Sequence, residues 1–178
     1  MKPLWAMFWS ICQLRRGPED LPRSFNLLLL ALLLDAFLGI SVQLYAEPVS
    51  LQAAVGMVGI GLGLDALVLW ALVRFKQQGP LYVQGLTAIY GADVMLGLVA
   101  LPLVVASVYL AQSSMLTALV VLQMLLVGWN LAVRGFVYFR VLKVGIFLAN
   151  MLSLTLFLLT IFISVKLFPE LLHLPASP

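Results

Sequence analysis

Five apolar runs, each about as long as a bilayer is thick, leave this chain few folds to choose from. They cover residues 24–45, 49–73, 81–110, 115–133 and 144–167. A helix needs about 20 apolar residues to cross the hydrocarbon core. Inside that solvent every backbone polar group must be paired within the protein, so only helices and closed barrels span it. Runs of this length without period-two alternation predict helices. Charged residues make up 10% of the 178 positions and hydrophobic ones 63%, whereas a soluble domain carries about 25% charged residues. The expected fold is therefore all-α: a polytopic membrane helical bundle of five transmembrane helices.

Turn formers and charges separate the runs at Glu47-Pro48, Gly79-Pro80, Gln112 to Ser114 and the stretch 134–143. Such short connections predict that successive helices pack as antiparallel neighbours. Pro102, well inside the third run, removes a backbone donor and predicts a kink. The chain divides into an N-terminal interfacial helix and cytoplasmic linker (1–23), a transmembrane domain (24–167) and a short external tail (168–178).

Lys and Arg in short loops mark the cytoplasmic side. Lys2, Arg15, Arg16 and Arg23 precede the first span, Arg74 and Lys76 follow the second, and Arg134, Arg140 and Lys143 follow the fourth, which leaves Lys166 alone on the other face. The N-terminus is expected in the cytoplasm, and Glu47, Ser113 and the tail with Glu170 and His173 outside. The basic residues sit at span ends without a patch or an aromatic-interleaved stripe, so no nucleic-acid partner is expected. One cysteine, Cys12, and one histidine, His173, permit neither an internal disulfide nor a histidine-rich metal site, and no cofactor is expected.

Residues 3–14 behave differently. Lys2, Ala6, Ser10 and Gln13 share one arc of a helical projection, and Trp5, Trp9 and other apolar residues fill the rest. The segment is too short to span, and no cleavage site precedes Arg15-Arg16, so it is not expected to be a signal peptide. Trp5, Trp9, Arg15 and Arg16 suit a helix lying in the cytoplasmic membrane interface. A stub docked on the bundle is the alternative. Phe136, Tyr138 and Phe139 read as an aromatic belt at the same surface, beside an Arg134 whose guanidinium snorkels outward.

Asp35, Asp65 and Asp93 each interrupt one span. Ionisable groups at bilayer depth are rare and mark functional or pairing sites. They lie about 12–18 Å from the cytoplasmic ends of their spans, and Gly39, Gly61 and Gly97 each stand one turn further out. Small residues permit close helix approach, and Gly59-x-x-x-Gly63 adds a packing motif. Asn130, Arg134 and Asn150 enter from the same leaflet as hydrogen-bonding or charge partners. Three roles remain open: structural staples, a docking point for a partner, or the handling of a proton or cation. Catalysis is not expected. Gly61-Leu62-Gly63-Leu64-Asp65 has one residue too many for the Gly-x-Gly-Asp pattern of intramembrane aspartyl proteases, and one residue turns a helix by about 100°.

The string Gly17-Pro18-Glu19-Asp20-Leu21-Pro22, with Leu14-Arg15-Arg16 before it and five close-set spans after it, resembles the Yip family in its short bacterial form. These are membrane proteins named for interaction with Ypt/Rab GTPases. The resemblance implies a non-enzymatic organiser with protein partners and no catalytic residues. The long cytosolic N-terminal region that engages GTPases in the eukaryotic family is absent here, which puts a Rab-type partner in doubt. The resulting expectation is an accessory subunit or organiser in contact with lipid and other integral membrane proteins. The alternative is a proton- or cation-conducting bundle built on the three Asp.

Overall fold

The structure, a computed structural model, describes residues 4–46 and 49–168. Glu47 and the tail beyond Phe168, with Glu170 and His173, lie outside the described residues. Six α-helices and two short 3-10 turns account for the architecture, with no strand among the described residues. They are α1 (Leu4–Cys12), α2 (Phe25–Ala46), α3 (Leu51–Phe75), α4 (Tyr82–Tyr109), α5 (Leu116–Leu142) and α6 (Ile146–Leu167). The fold is all-α, and α2 to α6 are each long and apolar enough to cross a membrane. Even the shorter ones, at 22 residues, extend about 33 Å against a hydrocarbon core of about 30 Å.

The helix ends follow local chemistry. The Ser50 hydroxyl accepts from the Ala53 amide at 3.2 Å and caps α3. Lys143 adopts a left-handed conformation (φ 51°) that stops α5, and Gly145 precedes α6. The stretch 134–143, expected to separate two spans, is helical through Leu142. Its charges interrupt hydropathy without interrupting the backbone, because Arg has a high helix propensity and Arg134 finds partners inside the bundle. Likewise α4 runs unbroken through Pro102.

Around the bundle the order is α2, α4, α5, α6, α3 and back to α2. Chain neighbours are therefore not always the main partners: the parallel pair α2 and α4 packs more extensively than α2 with α3 or α3 with α4. The contact chemistry explains this. Gln84 near the start of α4 donates to the carbonyls of Leu21 (2.6 Å) and Glu19 (3.3 Å) and accepts from Arg23 Nε at 3.1 Å, which ties the chain entering α2 to α4. The Gly17–Pro22 string is thus part of the packing, with Pro18 buried and Glu19 paired with Arg140 on α5.

The N-terminal helix α1 docks on this bundle. Phe8, Ile11 and Cys12 are buried, the Trp129 indole of α5 donates to the Cys12 carbonyl at 2.8 Å, and Trp9 meets Trp129 edge-on with centroids 6.0 Å apart. Gly91 makes room for this docking, since a β-carbon there would collide with the Phe8 ring. Trp5 stays 63% exposed. The depth of this docking on α4, at residues 91–95, is that of Asp93. Deleting residues 1–13 removes these contacts but no spanning helix. The five spans are therefore expected to insert normally while the midpoint of detergent unfolding falls, and failure of insertion in a protease-protection assay would show that α1 is needed earlier.

Candidate functional site

The site grows from one stripe of α5. Asn130, Arg134 and Tyr138 stand four residues apart, so they share one face of the helix. That face meets Asp93 of α4 and Asp65 of α3. Arg134 Nη2 lies 2.6 Å from Asp93 Oδ2, its Nε 3.3 Å from Asp93 Oδ1, and its Nη1 2.7 Å from Asp65 Oδ2. The planar guanidinium thus grips one carboxylate with two donors and reaches a second with a third, a geometry that Lys cannot match. Asn130 Nδ2 donates to Asp93 Oδ1 at 2.6 Å and the Tyr138 hydroxyl to Asp65 Oδ1 at 3.3 Å. No buried side-chain nitrogen or oxygen among the described residues lacks a partner.

Three helices are clamped by this network. Two carboxylates and one guanidinium leave a formal charge of −1, and burial makes that arrangement sensitive to any loss. Breaking a buried pair strands the remaining charge, which is usually worse than never having had the pair. Two corrections follow. Arg134 does not snorkel to the surface: it turns into the bundle. Tyr138 is not part of an aromatic belt, since it is fully buried beneath Asp65, whereas Phe136 and Phe139 keep partly exposed positions beside Arg140.

Asp35 takes a different position. It makes no hydrogen bond among the described residues and lines a cavity of about 460 Å³ with Asp93, Gly97, Ala100, Asn130 and Arg134. The cavity lies on α4 between α2 and α5. No residue of α3 or α6 lines it. Asn150 stands apart from the cluster. Its amide donates to the Ile146 carbonyl of its own helix at 3.0 Å, and its side chain lies against Gly135.

The glycines divide in the same way. A β-carbon at Gly39 would stand 3.1 Å from Val58, at the α2–α3 contact, and one at Gly61 would stand 3.6 Å from Thr160 of α6. At Gly97 the nearest atom would be Leu38 Cδ1 at 3.9 Å, while Gly59 and Gly63 have nothing within 4 Å. The tightest helix approach is elsewhere, at Gly135, where an added β-carbon would overlap the Asn150 side chain and come within 3.1 Å of its Cα. Sequence reasoning did not single out Gly135, Gly91 or Trp129. The four-residue spacing of Asn130, Arg134 and Tyr138 was a usable signal for Tyr138. The glycines carry none, because what matters is the residue each faces.

Among the described residues, Cys12 is the one titratable group outside the spans with a clear shift. Burial, with the Asp93 charge adding to it, pushes its thiol from an ordinary value of 9.0 up to about 12. The thiol is neutral at pH 7.5 and is expected to resist maleimide until the fold opens. Between pH 9 and 12 the unfolded chain releases a proton that the folded one keeps. The stabilising contribution is therefore complete below pH 9 and lost as pH rises through that window. Flat stability between pH 8 and 11 in a Cys12-dependent comparison with Cys12→Ser would contradict this.

The chain matches no protein-family model, no curated protein and no solved structure.

Proposed function

We propose that this chain is a non-enzymatic integral membrane protein of a bacterial inner membrane, Yip-like in layout, that works as an accessory subunit or organiser through contacts with other membrane proteins and lipid. The observation that carries this reading is Arg134. A bundle that conducts cations through paired carboxylates needs those carboxylates free for the ion, yet Asp65 and Asp93 are both held by a cation belonging to the chain itself. That favours a scaffold over a conduit. The charge asymmetry supports an N-terminus in the cytoplasm, and the exposed Trp5 of α1 supports contact with lipid beside the bundle.

Purification in mild detergent followed by mass spectrometry tests the reading. Co-purification with a stoichiometric membrane partner is the expected result, and a chain that always purifies alone would sink it. The conducting alternative is favoured by one observation, the unbonded Asp35 beside a cavity. It requires ion or proton flux from reconstituted vesicles above that of empty liposomes, and flux lost in Asp35→Asn. Orientation has its own check. In a Cys12→Ser background, Ser113→Cys should label from outside intact cells with an impermeant maleimide and Lys76→Cys should label only after lysis; the reverse pattern would overturn the topology.

A further inference from the structure

The cavity beside Asp35 is elongated along the helices. On α4 it is lined by Asp93, Gly97, Ala100 and Val104, which recur at three- and four-residue spacing. On α5 the facing stripe is Gln123, Val127, Asn130 and Arg134. From Gln123 to Arg134 is 11 residues, so the groove runs for about 16 Å parallel to the helix axes. Spreading 460 Å³ over that length gives a cross-section of roughly 30 Å², far too narrow for a helix of 10–12 Å diameter but wide enough for a ridge of side chains. Small residues, Gly97 and Ala100, form its floor, and Met124, 65% exposed, stands on its open rim.

Charge is distributed unevenly along this groove. The end toward the outer face is apolar apart from Gln123. The deeper end holds Asp35, with Asp93 behind it, and the only base there, Arg134, is already shared between Asp93 and Asp65. Asp35 is the eleventh residue of α2, about 15 Å from its start and so near the middle of a 30 Å core. A lipid headgroup does not reach that depth. An acid without a partner is costly at that depth, and it is matched most directly by a basic side chain held at the same depth by a second spanning helix.

We infer that this groove docks a transmembrane helix of a partner protein that carries one Lys or Arg near its midpoint, with the basic side chain reaching Asp35 and small or branched side chains filling the groove above Gly97 and Ala100. The inference rests on the accessory-subunit reading and names the partner's chemistry. A second copy of this chain does not meet the requirement. Its only base deep within a described span is Arg134, which is already committed to Asp65 and Asp93.

The test uses the full chain in liposomes, labelled at Ser114→Cys, with fluorescent Leu/Ala spanning peptides that carry either Lys or Leu at the midpoint. Energy transfer should show the Lys peptide binding at least about tenfold tighter than the Leu peptide. Asp35→Asn should erase that preference without lowering the unfolding midpoint. Ala100→Phe, which fills the groove but leaves the charge, should weaken the Lys peptide as well. Equal binding of both peptides, no binding of either, or a preference surviving in Asp35→Asn would each overturn the site. So would a spin-labelled acyl chain that occupies the groove and is displaced by neither peptide. The two readings fail separately. A native complex that persists in Asp35→Asn removes this site and leaves the accessory role standing, whereas a wild-type chain that purifies alone removes the role.

Discussion

Arg134→Leu is expected to destabilise the bundle by about 3–5 kcal/mol, the usual cost of leaving buried charge without its partner. The variant removes three hydrogen bonds from two carboxylates that have little contact with solvent, at 4% and 8% side-chain exposure. Arg134→Lys should recover only part of the loss, because an ammonium cannot grip Asp93 with two donors and reach Asp65 with a third. The sharper comparison is a triple variant, Arg134→Met with Asp65→Asn and Asp93→Asn, which removes all the charge together. It should be more stable than Arg134→Leu alone. Unfolding in detergent, followed by circular dichroism, measures all three. If Arg134→Leu unfolds at the wild-type midpoint, the network contributes nothing and the account of Asp65 and Asp93 as clamped partners is wrong.

Gly135→Leu should be nearly as damaging, for a steric reason. The α5–α6 contact brings the Asn150 Cα within 3.1 Å of where a β-carbon would stand. A side-chain tip can rotate away, but the backbone of α6 cannot move without separating the helices. Overfilling of this kind costs about 1–3 kcal/mol and sometimes more. Gly135→Ala should sit at the low end of that range, and Gly135→Leu should break the Ser153 hydroxyl to Leu131 carbonyl hydrogen bond, 3.0 Å long, that crosses the same interface. Gly59→Leu is the control. Nothing lies within 4 Å of that position, so its unfolding midpoint should stay near wild type.

Residue periodicity and span length made the five long helices legible, because a bilayer leaves a 20-residue apolar run almost no other conformation. The acidic residues were legible as special, since an Asp among leucines needs a partner. Asn130 and Arg134 stand out as candidate partners because they enter from the same leaflet, but Arg134 also reads as the edge of a loop, because a charge at the end of an apolar run resembles a span boundary. Only the three-dimensional return of α3 and α4 to the same face of α5 makes it an interior residue. Tyr138 was misread for the same reason, as an aromatic near basic residues. Which glycine carries a helix crossing depends on the opposing backbone, so Gly135 and Gly91 were invisible while Gly59 and Gly63, in a familiar spacing, stood out.

The order in which the clamp's members leave the ribosome adds a constraint in time. Asp65 is made 69 residues before Arg134, and Asp93 is made 41 residues before it. At about 5–20 residues per second, the two acids exist several seconds before the base that holds them. Until α5 arrives, α3 and α4 each carry a carboxylate with no answering charge. The finished clamp therefore closes late: a chain that stops short of Arg134 carries both acids of the clamp and not the base that joins them.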